Sequence, residues 1–253
     1  MIASVSLLFT LFAPAANASL GPPASVAASV LAGPTAPAAK ASGSASPIWR
    51  FYSPSYGGHF YTASNSERDR LISESPDVWQ YEGQAYSAFT SPAPGTVPLY
   101  RFYSSSQKAH FFTASISERD RVRNTLSATW RYEGVAFHVY PNARVSGSIE
   151  MSRFWNIESR RHFYTASVTE RDRVIRTLAH VWRFEGTNFA VPAGGVGAKV
   201  PPPNPGDSKN CGHFRNYAHA KAWFDLHYPY YGDIARLDNN KDRIPCEMLP
   251  GAP

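Results

Sequence analysis

The sequence predicts a mainly β protein built around a three-repeat, pseudo-threefold, β-trefoil-like domain with a short helix in each repeat. One phrase occurs three times, as RFYSPSYGGHFYTASNSERDR from Arg50, RFYSSSQKAHFFTASISERDR from Arg101 and RFWNIESRRHFYTASVTERDR from Arg153. Each copy closes on a second phrase, VWQYEGQAY, TWRYEGVAF or VWRFEGTNF. Aromatic residues make up 14% of the 253 residues, which suits β-structure. Equal repeats indicate one supersecondary unit that is used three times.

The first strand of each repeat carries an arginine between apolar residues. Side chains alternate between the faces of a strand, so Ile48, Arg50 and Tyr52 share one face. A half-buried guanidinium needs an acceptor, and the second phrase of each repeat supplies a glutamate at a matching point. We therefore predict one polar cluster per repeat, formed by Arg50, His59 and Glu82, by Arg101, His110 and Glu133, and by Arg153, His162 and Glu185.

A short helix is predicted after the second strand of each repeat. Ser64, Ser115 and Ser167 each stand three residues before a glutamate, which is the pattern of a capping box. The ERDR phrase is expected on the exposed side of this helix. The Glu-Gly step of the second phrase predicts a β-bulge, because glycine adopts backbone conformations that other residues avoid.

Two interpretations of the polar clusters stay open. In the first, an ion pair and a hydrogen-bonded histidine hold each repeat together. In the second, the clusters are three equivalent pockets that bind a sugar between aromatic walls. The side chains that we expect to be exposed, and to stack on sugar rings, are Tyr56, Tyr61, Phe112 and Tyr164.

The repeats resemble a bacterial extracellular repeat of unknown function. The pattern of that family is roughly Y-R-[FL]-Y, then H-[FL]-[YF]-T, then W-x-Y-E-G, and each of the three copies is similar to it. The resemblance implies a trefoil-like fold and an extracellular location, since members occur beside secreted hydrolases, but it implies no activity. We place the domain at residues 47–192, with repeats at 47–92, 98–140 and 150–192.

The N-terminus is predicted to direct export. Residues 1–18 combine an apolar run with small residues before a cleavage point, which is typical of a signal peptide. Residues 19–46 are rich in Ala, Pro and Ser and predict a disordered spacer, and residues 193–206 predict a Pro/Gly linker. We expect no membrane anchor. Export would allow a disulfide between Cys211 and Cys246.

Residues 207–250 predict a small second domain. Asn216 can cap a helix from Tyr217 to Leu226, and Pro229 is expected to prevent much continuation. Oxygen-bearing side chains then alternate in a tight loop, an arrangement that gathers hard cations such as Ca²⁺. The predicted calcium ligands are Asp238, Asn240, Asp242 and Glu247.

This segment resembles the Excalibur domain, an extracellular calcium-binding module of bacteria. The resemblance rests on NCGHF, AKAWFD and LDNNKDRIPCEMLP. It implies a small α+β domain with a Cys211–Cys246 disulfide and Ca²⁺ on the four predicted ligands. Arg243 stands where the family has glycine, and Asn240 stands where it has aspartate, so we expect weaker calcium binding and a positive charge beside the ion.

Composition and motifs disfavour two function classes. The net charge of +6 is spread along the chain without a Lys/Arg block, so nucleic acid is not a predicted partner. The sequence contains neither the G-x-S-x-G nor the H-E-x-x-H motif of hydrolases, and no enzymatic activity is predicted.

The sequence therefore predicts a secreted, monomeric, cell-surface or wall-associated binding protein that performs no chemistry. Its repeat domain would bind a glycan or a protein, and its C-terminal module would bind Ca²⁺. Two alternatives stay open: a secreted hydrolase or the accessory module of one, and a purely structural component of the cell wall.

Overall fold

The computed structural model of the protein describes residues 44–253. The predicted signal peptide and almost all of the predicted spacer lie outside these residues. The first repeat contains β1 (Ser46–Ser53), β2 (Gly58–Thr62), α1 (Asn65–Glu74) and β3 (Gln80–Ala88). The second contains β4 (Val97–Ser104), β5 (Ala109–Thr113), α2 (Ile116–Thr125) and β6 (Arg131–Val139). The third contains β7 (Ser148–Asn156), β8 (His162–Thr165), α3 (Val168–Thr177) and β9 (Trp182–Pro192).

Each repeat forms its own three-stranded antiparallel sheet, with the first strand in the middle. The strand orders are β2-β1-β3, β5-β4-β6 and β8-β7-β9. Arg50 lies opposite Gly83 and Phe51 lies opposite Tyr81, so Glu82 is the extra residue of a bulge. Gly83 has φ +93°, a value that favours glycine. The prediction of a mainly β, three-repeat domain with a bulge at the Glu-Gly step is confirmed.

The three sheets share one core, in which the second strands of the repeats meet. Tyr61, Phe112 and Tyr164 contact one another there, with ring centroids 6.2, 6.0 and 5.8 Å apart and nearly perpendicular planes. Their exposed fractions are 2%, 3% and 2%. The prediction that these three side chains are exposed for sugar stacking is wrong, because the strand face that carries them is covered by the other two repeats.

Residues 193–206 are attached to the first repeat, in contrast to the linker that was predicted. Gln84 N donates to Ala198 O at 3.1 Å, and Gly197 N donates to Ala85 O at 3.0 Å. Val200 packs on the apolar cluster beneath the first repeat. The free edge of β3 offers unpaired backbone groups, and this segment satisfies two of them.

The C-terminal domain has a 3₁₀ turn (Cys211–His213), helix α4 (Tyr217–Tyr231) and loops. No strand occurs within the described residues 193–253, so the predicted α+β class is wrong for this domain. Helix α4 continues past Pro229, which lies on its exposed side, and His227 continues the buried face. The helix ends at Gly232, which has φ +64°.

A disulfide joins Cys211 to Cys246, with an S–S distance of 2.07 Å and a sequence separation of 35 residues. It fastens the 3₁₀ turn to the loop that follows α4, beside a small core of Phe214, Ala220, Trp223, Phe224, Ala235 and Leu237. A core of this size needs such a covalent link.

The C-terminal domain is docked on the first repeat. Arg215 donates to Asp77 Oδ1 at 2.5 Å and to Glu74 O at 2.8 Å, and Leu226 packs on the cluster that contains Ile72. In residues 44–253 we find no helix that is long and apolar enough to cross a bilayer.

Candidate functional site

The predicted polar cluster exists in every repeat. The arginine of the central strand approaches the bulge glutamate at 2.7 Å for Arg50–Glu82, and at 2.9 Å for both Arg101–Glu133 and Arg153–Glu185. The histidine Nε2 lies 3.6, 3.5 and 3.3 Å from the same carboxylates. The bulge produces this arrangement, since it turns the glutamate of the third strand toward the arginine of the first.

A second glutamate, which the sequence analysis assigned to a capping box, joins two of the clusters across the repeat boundaries. Glu170 accepts two hydrogen bonds from Arg50 at 3.0 and 3.1 Å. Glu118 accepts two from Arg153 at 3.0 and 3.2 Å. Ser167 does cap its helix, since its hydroxyl accepts from Glu170 N at 3.2 Å. The backbone N–H of Ser167 donates to Thr165 Oγ1 instead of to Glu170, which leaves that carboxylate for the neighbouring repeat.

The cluster histidines are neutral side chains that pack against aromatic rings of the neighbouring repeat. The ring of His59 lies 4.7 Å from Phe163, and that of His162 lies 4.9 Å from Phe111. Burial, followed by the charge of Arg50, holds the pKa of His59 well below its ordinary value. In the described part of the chain the buried Nδ1 atoms of His59 and His162 have no hydrogen-bond partner, so a proton added there would lack an acceptor.

The interface between the first and second repeats departs from this pattern. By analogy with the other two interfaces, Arg101 should bind Glu67, but no ion pair joins them among the described residues. The side chain of Arg101 is 32% exposed, whereas those of Arg50 and Arg153 are 15% and 10% exposed. Two interfaces are therefore closed by a bidentate ion pair, and the third is open.

The shared core is also less connected at this interface. The hydroxyl of Tyr61 donates to Tyr164 O at 2.9 Å, and the hydroxyl of Tyr164 donates to Phe112 O at 2.9 Å. Each hydroxyl also accepts from a backbone N–H, so it links two repeats through two hydrogen bonds. Phe112 has no hydroxyl with which to reach the backbone of Tyr61. The side-chain link between the first two repeats is missing for that reason.

We expect Phe112→Tyr to raise the free energy of unfolding by about 1 kcal/mol, which is the net value of a typical buried hydrogen bond. The centroids of Phe112 and Tyr61 are 6.2 Å apart, close to the 6.0 Å of the linked pair Tyr61–Tyr164, so the added hydroxyl has comparable room. Urea unfolding measures the change, and Tyr164→Phe is the reverse control with the opposite expected sign. A lower stability of Phe112→Tyr would contradict the missing link.

A cavity of about 290 Å³ lies at the open interface. We call it the open cleft and define it by the side chains that matter for binding: Tyr56, Glu67, Arg70, Trp79, Tyr103 and Lys108. Among the predicted sugar-stacking residues only Tyr56 lies here, with its ring centroid 5.7 Å from that of Trp79. His59 and His110 lie at its base; burial, followed by the charge of Arg101, lowers the pKa of His110 to about 4.

The third repeat holds one end of the open cleft in place. Arg161 lies 5.8 Å from the centroid of Tyr56 and donates to the backbone carbonyl of Gln107. It passes beside Gly58, where any side chain would collide with it. Arg161 thus connects the turns of all three repeats and supports the Tyr56 wall of the cleft.

A larger cavity of about 480 Å³ lies beside the Arg50–Glu170 pair. It is bordered by Lys199, Val200 and Tyr230, so the 193–206 segment and helix α4 cover it in part. Its main charged groups already bind each other at 3.0 Å. The three interfaces are therefore not equivalent, in contrast to the hypothesis of three equal pockets.

The predicted calcium ligands lie in one loop after α4. Asp238 is buried, and its carboxylate accepts hydrogen bonds from the backbone N–H groups of Lys241 and Arg243, both at 2.8 Å. It therefore mainly organises the backbone of the loop. Asn240 Nδ2 lies 2.9 Å from Asp242 Oδ2 and 3.4 Å from Glu247 Oε2. Across residues 44–253, no group of three or more His, Cys, Asp or Glu side chains is placed to hold a metal ion.

Arg243 does not place its charge beside these oxygens, contrary to our expectation. Its guanidinium lies 4.3 Å from the centroid of the Tyr228 ring, on helix α4. Its φ of +73° is in the left-handed region, which glycine adopts more readily than arginine.

Comparisons with known proteins identify the repeat block. Searches among curated proteins and among solved structures found no significant match. Among protein families, residues 47–192 match a domain of unknown function (DUF5648). These residues coincide with the three sheets and make up more than half of the chain, and we conclude that the protein belongs to the DUF5648 family.

Proposed function

We propose that the protein is an exported, non-enzymatic binding protein of the cell surface or wall, and that its repeat domain binds a glycan in the open cleft. The observation that carries this proposal is the broken symmetry of the repeats. Two interfaces close on themselves through Arg50–Glu170 and Arg153–Glu118, whereas the third replaces the ion pair with a cavity.

The walls of the open cleft have the chemistry that a sugar requires. Tyr56, Trp79 and Tyr103 offer aromatic faces, against which the C–H side of a sugar ring can pack. Glu67, Arg70 and Lys108 offer hydrogen-bond acceptors and donors for its hydroxyl groups. A mainly apolar wall that carries a small number of polar groups is typical of sites that bind small molecules.

A pair of equivalent residues provides a matched test of this site. Tyr103 and Trp155 occupy the same place in the second and third repeats, and each packs on its own histidine with centroids 5.0 and 4.7 Å apart. Only Tyr103 lines the open cleft. We expect the purified protein to bind members of a glycan array, Tyr103→Ala to lose binding, and Trp155→Ala to keep it. Equal losses in both variants would contradict a site at this interface.

We also propose that the C-terminal module binds Ca²⁺. Asn240, Asp242 and Glu247 converge in one exposed loop, and a rotated Asn240 amide would present its oxygen toward the two carboxylates. Oxygen ligands of this kind suit a hard cation. The ion would hold the loop after α4 against the disulfide, and Asp238 would keep its role of organising the backbone.

Calorimetric titration of the full chain with CaCl₂ tests the calcium site. Saturable heat should disappear in Asp242→Ala and persist in Asp225→Ala, which removes an exposed carboxylate of α4 that pairs with Lys221 at 2.6 Å. The absence of heat up to millimolar calcium would contradict the proposal.

The proposal has two further parts, export and a trefoil-like arrangement. Export is supported by the Cys211–Cys246 disulfide, since such bonds persist in oxidising compartments. A trefoil-like arrangement is supported by the cyclic contacts between repeats, although the strands of different sheets are joined in the described residues by only two single bridges, Phe89–His138 and Tyr140–Ala190.

A further inference from the structure

We propose that the ligand of the open cleft is an acidic glycan, whose carboxylate binds the cations Arg70 and Lys108, and that Glu67 competes with it. The inference rests on the proposed glycan-binding function and narrows it to one chemical class. The charged side chains that line the cleft carry the argument.

The closed interfaces show how the equivalent helix glutamates are held. At each of them a carboxylate from the neighbouring repeat accepts two hydrogen bonds from the outer nitrogens of an arginine, at 3.0 to 3.2 Å. This two-pronged geometry suits a carboxylate. At the open interface the equivalent arginine, Arg101, contacts Glu133 at 2.9 Å and does not line the cleft, so Glu67 shares the cleft with Arg70 and Lys108 instead.

The charges around the open cleft point in the same direction. Arg70 and Lys108 line it, and neither forms an ion pair with any residue in the described part of the chain. Glu133, which contacts Arg101 and Arg131 at 2.9 and 2.7 Å, does not line the cleft. An anionic ligand would meet two cations here, and Glu67 is the one carboxylate among the defining residues of the cleft.

Glu67 is the internal counterpart of Glu118 and Glu170 and begins its helix in the same way, with its N–H bonded to Ser64 Oγ at 3.1 Å. Its carboxylate has the same place in the repeat as the two that close the other interfaces. Because it lines the cleft together with Arg70 and Lys108, it can compete with the carboxylate of a ligand for these cations, and it repels an incoming anion. Removing its charge should favour binding.

The turn residue Lys108 gives the sharpest test. Lys108 and Arg160 are equivalent residues of the second and third repeats, and both have left-handed backbones, with φ +50° and +55°. Asparagine tolerates this conformation, so Lys108→Asn and Arg160→Asn remove one charge each with the same backbone effect. Only Lys108 lines the open cleft.

The experiment compares an oligogalacturonate with its methyl ester, which has the same sugar rings without the charge. With the full chain, we expect the acid to bind at least about tenfold more tightly than the ester, as one charge-assisted contact provides. Lys108→Asn should remove most of that preference, and Arg160→Asn should keep it. Glu67→Gln should bind the acid several-fold more tightly, whereas Glu118→Gln should not change the affinity.

The outcomes separate this inference from the proposed function. Equal affinity for the acid and the ester, with loss of both in Tyr103→Ala, would overturn the acidic class and leave glycan binding intact. Binding of neither of these sugars would overturn the inference, and only the absence of binding across the whole glycan array would overturn the proposed function as well. A parallel titration compares a short peptide that has a free C-terminal carboxylate with the same peptide as its C-terminal amide. If the protein binds the free-acid peptide more tightly than the sugar acid, the cleft is a peptide site and the inference is overturned.

Discussion

Arg153→Met is expected to lower the free energy of unfolding by about 3–5 kcal/mol, which is the usual cost of breaking a buried ion pair from one side. The side chain of Arg153 is 10% exposed and contacts Glu118 at 3.0 Å and Glu185 at 2.9 Å. Methionine would leave two largely buried carboxylates without their main partner. Because single domains are stable by about 5–15 kcal/mol, this loss approaches the stability of the whole domain.

Arg101→Met is the matched control, because it removes the equivalent arginine at the open interface. Arg101 is more exposed and contacts one carboxylate, Glu133, which keeps Arg131 at 2.7 Å. We expect a loss of about 1 kcal/mol, in the range of exposed ion pairs. Urea unfolding followed by circular dichroism measures both variants. Equal losses would show that the first interface is closed in solution by an Arg101–Glu67 pair.

The ion pair inside each repeat could be predicted from the sequence, but the one between repeats could not. Every repeat has an arginine and a glutamate at the positions of Arg153 and Glu185. Because a half-buried guanidinium needs an acceptor, the sequence of a single repeat is enough to predict this pair. Glu118 stands three residues after Ser115 and satisfies the capping-box pattern equally well. A side chain cannot serve both partners, and the packing of the repeats decides in favour of the arginine.

The open cleft could not be predicted from what the repeats share, since it exists where they differ. The turns SPSYGG, SSSQKA and NIESRR diverge, and Phe112 replaces the tyrosine of the other copies. Those departures were visible in the sequence and marked the interface. The error over Tyr61, Phe112 and Tyr164 has the same origin, because alternation along a strand indicates which residues share a face but not whether another repeat covers that face.

The C-terminal domain shows a different limit. Pro229 predicted the end of a helix, yet α4 extends to Tyr231, and its buried face continues through His227. The segment of residues 193–206 has the composition of a free linker, but the open edge of β3 binds it. In both cases a long-range contact outweighs a local preference.

The second large effect that we expect is a loss of stability in mild acid, between about pH 6.5 and pH 4. Burial, followed by the neighbouring arginine charge, lowers the pKa of His110 from 6.5 to about 4. Burial is also the main cause that lowers the pKa of His59 and His162. The unfolded chain then binds protons that the folded chain does not, so the stability is complete above pH 6.5 and falls as the pH decreases.

The pKa shift of His110 alone sets the expected size of this loss of stability. A shift from 6.5 to about 4 corresponds to roughly 3 kcal/mol once the pH reaches the folded pKa. Burial raises the pKa of Glu82 above 4.5, so the folded chain binds a proton there that the unfolded chain does not, and this opposes the trend just above pH 4.5. The lowered pKa of Glu185, about 2, adds to the trend only below pH 4.5. Measurements between pH 7.5 and 4.5 therefore exclude Glu185 and report the histidines against the opposing contribution of Glu82.

Urea midpoints measured across that range test the assignment. His162→Gln keeps a donor for Glu185 but cannot titrate, so its stability should depend less steeply on pH than that of the parent protein. His180→Gln replaces an exposed histidine of the third repeat and should keep the parent slope. Parallel losses of stability in His162→Gln and the parent protein would contradict the assignment. They would mean that the buried histidine accepts a proton without cost, which requires a hydrogen-bond acceptor for Nδ1. The packing against Phe111 does not provide one.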